Sequence, residues 1–132
     1  MAKRKKLAEA EWQVMRGVWS FARPVTVREV HSHLYPEGEK AYTTVQTIMN
    51  ILVDKGFLQK EKIGMVNFYQ PTVSRADFAE SETHSLVARI FNGSFGALAS
   101  YLVDSGELTP KDLHRLKALI EAKEKEGEDE PI

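Results

Sequence analysis

The chain has 132 residues, 42% hydrophobic and 28% charged, which suits one domain or a small domain with an extension. It contains no cysteine, so disulfide frameworks, thiolate metal centres and cysteine nucleophiles are excluded, and no apolar run is long enough to span a bilayer. The net charge of −1 is unevenly spread: residues 1–70 carry 11 Lys and Arg against 7 Asp and Glu, and residues 71–132 carry 7 against 12, although an acidic tail supplies half of those acids.

Met1-Ala-Lys-Arg-Lys-Lys6 is basic and no hydrophobic region follows it, so it is read as a polar tail of a cytoplasmic protein and not as a secretory signal. Residues 1–6 and 123–132 are expected to be disordered tails. Leu7, Trp12, Met15, Val18 and Trp19 recur at helical spacing and predict a first amphipathic helix that ends before Arg23-Pro24. Trp12 and Trp19, seven apart, share a face expected to pack against the third helix. Thr26 with Glu29 has the pattern of a capping box, opening a second helix that buries Val27, Val30 and Leu34. Pro36 and Gly38 close it.

The third helix is expected over residues 41–55. Val45, Ile48, Met49, Leu52 and Val53 form its apolar stripe, while Thr43, Gln46, Thr47 and Asn50 form an uncharged polar stripe. Its start is open between Ala41 and a Thr43–Gln46 capping box, and Lys55-Gly56 is its stop. Residues 57–62 and 66–70 flank a turn containing Gly64 and read as a β-hairpin. The expected fold is mainly α with a small β-hairpin wing: a winged helix-turn-helix DNA-binding domain over residues 7–72.

A C-terminal helical dimerisation region is expected over residues 73–122. Its apolar positions are Leu86, Ile90, Phe91, Phe95, Leu98, Leu102, Leu113, Leu116 and Ile120, with Thr109-Pro110 as a clear helix start. So few helices have little core of their own. Their stripes must pack on the winged domain or on a second subunit, and the second subunit is favoured because a small DNA reader gains affinity from a two-fold dimer. Asn92-Gly-Ser-Phe95 reads as a helix kink or a protease-sensitive loop, with the kink favoured.

Leu7-Ala-Glu-Ala-Glu-Trp-Gln-Val-Met15, Thr44-Val-Gln-Thr-Ile48, Leu52-Val-Asp-Lys-Gly56, Phe68-Tyr-Gln-Pro71 and Asn92-Gly-Ser-Phe95 together resemble the penicillinase-repressor family, over nearly the whole chain. The resemblance implies a bacterial homodimer with an N-terminal winged helix that represses transcription at an inverted-repeat operator. In antibiotic-resistance members it further implies a membrane sensor that triggers proteolysis at an Asn-Phe bond. That bond falls at Ser94-Phe95 here, with Ser in place of Asn. The copper-responsive branch uses Cys-x-Cys pairs, which are absent, and Ile51 stands where relatives often carry a basic residue.

Between Ala41 and Leu52 there is no Lys or Arg, so bidentate Arg–guanine contacts cannot come from the third helix. Gln46 and Asn50 can pair with adenine, and the methyl groups of Thr43 and Thr47 can meet the thymine methyl, which predicts an A- and T-rich half-site. Phosphate contacts are assigned to Arg4, Arg28, Lys40, Lys60 and Lys62, with a hydroxyl contact from Thr44. His31 and His33 lie on different faces of a helix and His84 has only Glu80 near it, so no metal site, cofactor or catalytic residue is expected. The rival reading is a winged-helix module for protein–protein contact. It would call for large apolar or acidic residues on the outer face of the third helix, where the only acid is the terminal Asp54.

Overall fold

A computed structural model describes residues 6–129, and within them six helices and a single hairpin follow in the order expected. They are α1 (Glu9–Trp19), α2 (Val27–Leu34), α3 (Tyr42–Asp54), β1 (Leu58–Ile63), β2 (Val66–Pro71), α4 (Arg75–Ile90), α5 (Phe95–Asp104) and α6 (Pro110–Asp129). The chain divides into two compact units, Met1–Glu80 and Ser81–Ile132, with the boundary inside α4.

Local chemistry accounts for the helix starts. Thr26 and Glu29 form the expected reciprocal cap: the Glu29 amide donates to Thr26 Oγ1 at 3.2 Å and the Thr26 amide donates to Glu29 Oε1 at 3.1 Å. Thr109 and Asp112 repeat that arrangement at α6, and Ser74 caps α4 by accepting from the Asp77 amide. Helix α3 is different. Its N-cap is Ala41, and no side chain caps it.

The core of the first unit is built from Val14, Met15 and Val18 of α1, Val27 and Val30 of α2, and Val45, Ile48, Met49 and Leu52 of α3. Phe57, Leu58 and Tyr69 close it from the hairpin side. At Gly17 a Cβ would lie 2.7 Å from Leu34 Cδ1, so any larger residue there would force the Leu34 side chain of α2 to shift. β1 and β2 pair antiparallel from Leu58↔Pro71 to Ile63↔Val66. A third segment joins them at one point: Val25 and Tyr69 exchange backbone hydrogen bonds of 2.9 and 2.7 Å.

The tryptophans pack differently from expectation. Trp12 stacks on Phe78 of α4 at 5.3 Å between centroids, Trp19 lies 5.5 Å from the same ring, and Trp19 Nε1 donates to the Val73 carbonyl at 3.0 Å. Phe57 also meets Phe78, edge-on at 5.8 Å. The first unit therefore reaches beyond residue 72, because Phe78 offers an aromatic platform that periodicity alone groups with the later helices.

In the second unit α4 and α5 are set at 88° to each other across a break at Phe91–Ser94. Asn92 and Gly93 adopt positive φ values of 51° and 82°, and Ser94 Oγ accepts from the Ala97 amide to cap α5. Helix α6 runs on to Asp129, through a charged stretch read as tail, where Glu and Lys have high helix propensity and Lys123 pairs with Glu126 at 3.4 Å. Val87 is the one buried side chain of this unit among the described residues. No single helix among them is long and apolar enough to cross a membrane.

An ion pair ties the end of α3 to α1. Lys55, at the end of α3, donates to Glu11 Oε1 at 2.5 Å and to the Lys6 carbonyl at 3.0 Å, while Glu11 also accepts from the Ala8 amide. The Lys55 hydrogen bond holds the Glu11 carboxyl below its ordinary range, against the opposing effect of burial. A depressed folded-state pKa means that the unfolded chain binds the proton more readily. The contribution is therefore complete above the ordinary Glu range and is lost as pH falls through the depressed value. Thermal melts between about pH 3 and 6 should show this acid limb, and Glu11→Gln should flatten it while costing about 2 kcal/mol at neutral pH. An unchanged pH profile in the variant would remove the pair from the stability of the unit.

Candidate nucleic-acid interface

The buried stripe of α3 fixes which residues it turns outward. With Val45, Ile48, Met49 and Leu52 in the core, Tyr42, Thr43, Thr44, Gln46 and Thr47 are exposed and Asn50 is half-buried. The outer face carries hydroxyls and one free-standing amide, with no charge until Asp54. The Thr47 hydroxyl donates to the Thr43 carbonyl at 3.0 Å, so one of its bonding directions is spent within the helix.

Asn50 is more committed than its sequence position suggests. Its Oδ1 accepts from Tyr69 Oη at 3.2 Å and from Lys60 Nζ at 3.0 Å, which ties α3 to both strands of the hairpin. Both lone pairs of that oxygen are in use, whereas bidentate adenine recognition needs the oxygen as well as the amide nitrogen. Asn50 as placed is a brace between helix and wing. Gln46, one turn earlier, has no such tie and remains available for the same chemistry. Burial holds the Tyr69 phenol above its ordinary range, with a smaller contribution from Tyr42, while the Asn50 hydrogen bond acts in the opposite direction.

The expected phosphate contacts surround this face in part. Lys60 and Lys62 are exposed on β1, opposite Tyr69 and Asn67 respectively. Lys60 spends one of its three donors on Asn50, and its Nζ also sits 6.0 Å from the Tyr69 ring centroid. Lys40 lies just before α3, with its Nζ 5.8 Å from the centre of the Tyr35 ring. Its carbonyl is 2.7 Å from His31 Nε2, so a proton on that nitrogen anchors the turn. Arg28 is exposed on α2 and lines a cleft between α3 and the hairpin with Thr26, Tyr42, Gln46, Met65, Val66, Asn67 and Tyr69. Arg4 lies outside the described residues.

Sequence reasoning passed over two residues of this cleft. Tyr42 stands four residues before Gln46, so its helical spacing carried the signal, and it packs edge-on against His31 at 6.0 Å. Met65 at the hairpin turn offered no periodicity at all. Among the described residues no three His, Cys, Asp or Glu side chains are grouped as a metal site would need.

The positions assigned to dimerisation occupy the second unit. Ile90, Phe95, Leu102, Leu113 and Ile120 are exposed, while Leu86, Phe91, Leu98 and Leu116 are half-buried. Tyr101, Val103 and Leu119 add to the exposed apolar surface. Ser94 and Phe95 are both exposed at the break between α4 and α5.

A sequence profile of the penicillinase repressor family matches residues 7–122. The penicillinase repressor of Bacillus licheniformis is 26% identical over 121 residues, covering 92% of this chain and 94% of that protein. The methicillin resistance regulatory protein MecI of Mammaliicoccus sciuri is 20% identical over 118 residues, covering 89% and 95%. Among solved structures, the DNA-binding domain of the repressor BlaI aligns at 30% identity with a TM-score of 0.50, covering 58% of this chain and 93% of that one.

The brace at Asn50 is open to direct measurement. Asn50→Ala leaves the buried Tyr69 hydroxyl without its acceptor and should cost about 1–3 kcal/mol in denaturant unfolding. Asn50→Asp keeps the acceptor opposite Lys60 and should retain most of that stability. A loss below about 0.5 kcal/mol in the alanine variant would mean that the wing is held by other contacts.

Proposed function

The chain belongs to the penicillinase repressor family, and from that premise we propose that it is a dimeric transcriptional repressor reading an inverted-repeat operator through α3. The observation that carries the reading is the exposed, uncharged face of α3 on a winged domain similar to the DNA-binding domain of BlaI. Such a face suits base edges in the major groove, whereas large apolar or acidic residues, the mark of a protein-docking module, are absent from its centre.

Thr43, Gln46 and Thr47 choose the sequence in this reading, favouring A and T. Asn50 contributes at most its amide nitrogen while its oxygen serves the hairpin. Lys40, Thr44, Arg28, Lys60 and Lys62 hold the phosphate backbone, with Arg4 added from the N-terminal arm. Placing cations outside the reading face divides the labour: the helix discriminates, and its surroundings supply sequence-independent affinity.

The exposed apolar surface of α4, α5 and α6 supports a homodimer. A unit with a single buried side chain among its described residues does not stand on its own core, and a second copy can cover Ile90, Phe95, Leu102 and Ile120 together. The exposed Ser94-Phe95 bond is where a sensor-triggered protease would separate the winged unit from α5 and α6. Ser94 retains the capping role that an Asn also fills, so its identity does not by itself remove the break.

Gel-shift titrations with the upstream region of the protein's own gene test the reading. Gln46→Ala should relax discrimination at one base pair by about 1–3 kcal/mol, leaving other positions unchanged. Lys62→Ala should weaken binding equally on all sequences and flatten the slope of log K against log salt by about one. Equal loss on every sequence for Gln46→Ala would take α3 out of base reading. Leu102→Glu combined with Ile120→Glu should shift the chain to a monomer in sedimentation and weaken a two-half-site duplex far more than a single half-site. A variant that remains dimeric would place the interface elsewhere.

A further inference from the structure

The first unit hides its large apolar side chains with four exceptions among the described residues: Tyr42, Ile63, Met65 and Val66 are the exposed ones, Met65 to 90%. These exceptions are not scattered. Three of them, Tyr42, Met65 and Val66, line the same cleft as Gln46, between α3 and the hairpin. Ile63 and Val66 close the hairpin around Gly64-Met65, with Gly64 at a φ of 64°. Tight hairpin turns are ordinarily occupied by Asn, Asp and Gly. An unbranched thioether fully exposed in that place has no role in the core of its own unit.

We propose that the hairpin tip is an apolar minor-groove wedge, with Met65 as the inserting side chain. Through it the operator is selected partly by how easily a base step outside the α3 contact deforms. The inference rests on the DNA-reading role proposed above and adds a specificity determinant to it.

Charge and register point the same way. Side chains alternate along a strand, so Lys60 and Lys62 share a face with their partners Tyr69 and Asn67, the face tied to α3 through Asn50. Glu61 and Ile63, paired with Phe68 and Val66, belong to the other face, where Glu61, Ile63 and Phe68 line a separate cleft that Lys60 also reaches. The side turned toward α3 thus carries Lys62 and the Asn50-bound Lys60 along the strand, with Met65 at the turn and Arg28 on the far wall of the cleft that Met65 lines. A phosphate ridge suits the lysines but offers nothing to a methionine. Beyond that ridge lies the minor groove, where deoxyribose and a partly unstacked base step give apolar contact, and Met is among the side chains used as such wedges. Flexible pyrimidine–purine steps open at least cost, so the wedge converts deformability into preference at a position that α3 does not touch.

The test uses the full chain and duplexes that it selects from a random library. Met65→Ser and Met65→Leu are compared by titration and by mobility of circularly permuted duplexes, with 2-aminopurine placed at successive steps flanking the half-site. Met65→Ser should bind roughly tenfold more weakly, lose the position-dependent mobility and lose the 2-aminopurine fluorescence rise. Met65→Leu should keep most of all three. Unchanged affinity and mobility for Met65→Ser, with Gln46→Ala still weakening binding, overturns the wedge alone. A wild-type chain that enriches no duplex overturns the DNA reading and the wedge together. A Met65→Ser variant that instead alters oligomeric state, with its DNA binding intact, assigns the tip to protein contact and also overturns the proposal.

Discussion

Tyr69 holds the hairpin to the helical body, and most of what the first unit can present depends on that attachment. Its backbone exchanges two hydrogen bonds with Val25, its ring is buried, and its hydroxyl donates to Asn50 on α3. A two-stranded hairpin is marginal by itself in water. The bridge to Val25, the packing of Leu58 and Phe57, and the phenol–amide contact together give it a fixed position beside α3. Lys60 completes the joint by donating to the same Asn50 oxygen. The exposed face of α3 and the lysines of β1 are thereby set in one fixed relation, which an interface needs if phosphate contacts are to fix register while side chains discriminate.

That joint changes what the outer face of α3 can offer. A polar residue on the outer face of a helix is read most simply as facing the ligand, yet Asn50 faces the wing. The polar stripe of α3 therefore splits along its length. Thr43, Gln46 and Thr47 in the first two turns remain exposed, and Asn50 in the third turn belongs to the architecture.

The two units differ in how they settle their apolar surface. The first closes a core around Val14, Met15, Met49, Leu52 and Tyr69, and it recruits Phe78 from the start of α4 to cover Trp12 and Trp19. The second buries Val87 and leaves Ile90, Phe95, Leu102 and Ile120 in solvent among its described residues. Apolar burial is the dominant favourable term in folding and association alike, so the surface left uncovered in one chain is available to drive the pairing of two.

The order of elements, the capping box at Thr26, the helix start at Thr109, the buried stripe of α3 and the hairpin around Gly64 were all legible in the sequence. Each depends on interactions within a few residues: helical periodicity, a hydroxyl three positions from an amide, a glycine where φ must be positive. The exposed face of α3 was legible for the same reason, because fixing the buried stripe fixes its complement. The seating of Trp12 and Trp19 on Phe78, the pairing of Val25 with Tyr69, the tie of Asn50 to Tyr69 and Lys60 of the wing and the convergence of Tyr42 with Met65 were not. These contacts join positions far apart in the chain, and the choice among partners depends on where whole elements come to rest. Local patterning thus determined which elements form and which faces they bury. Tertiary packing decided which of the polar residues left outside are free to read a ligand and which are already holding the structure together.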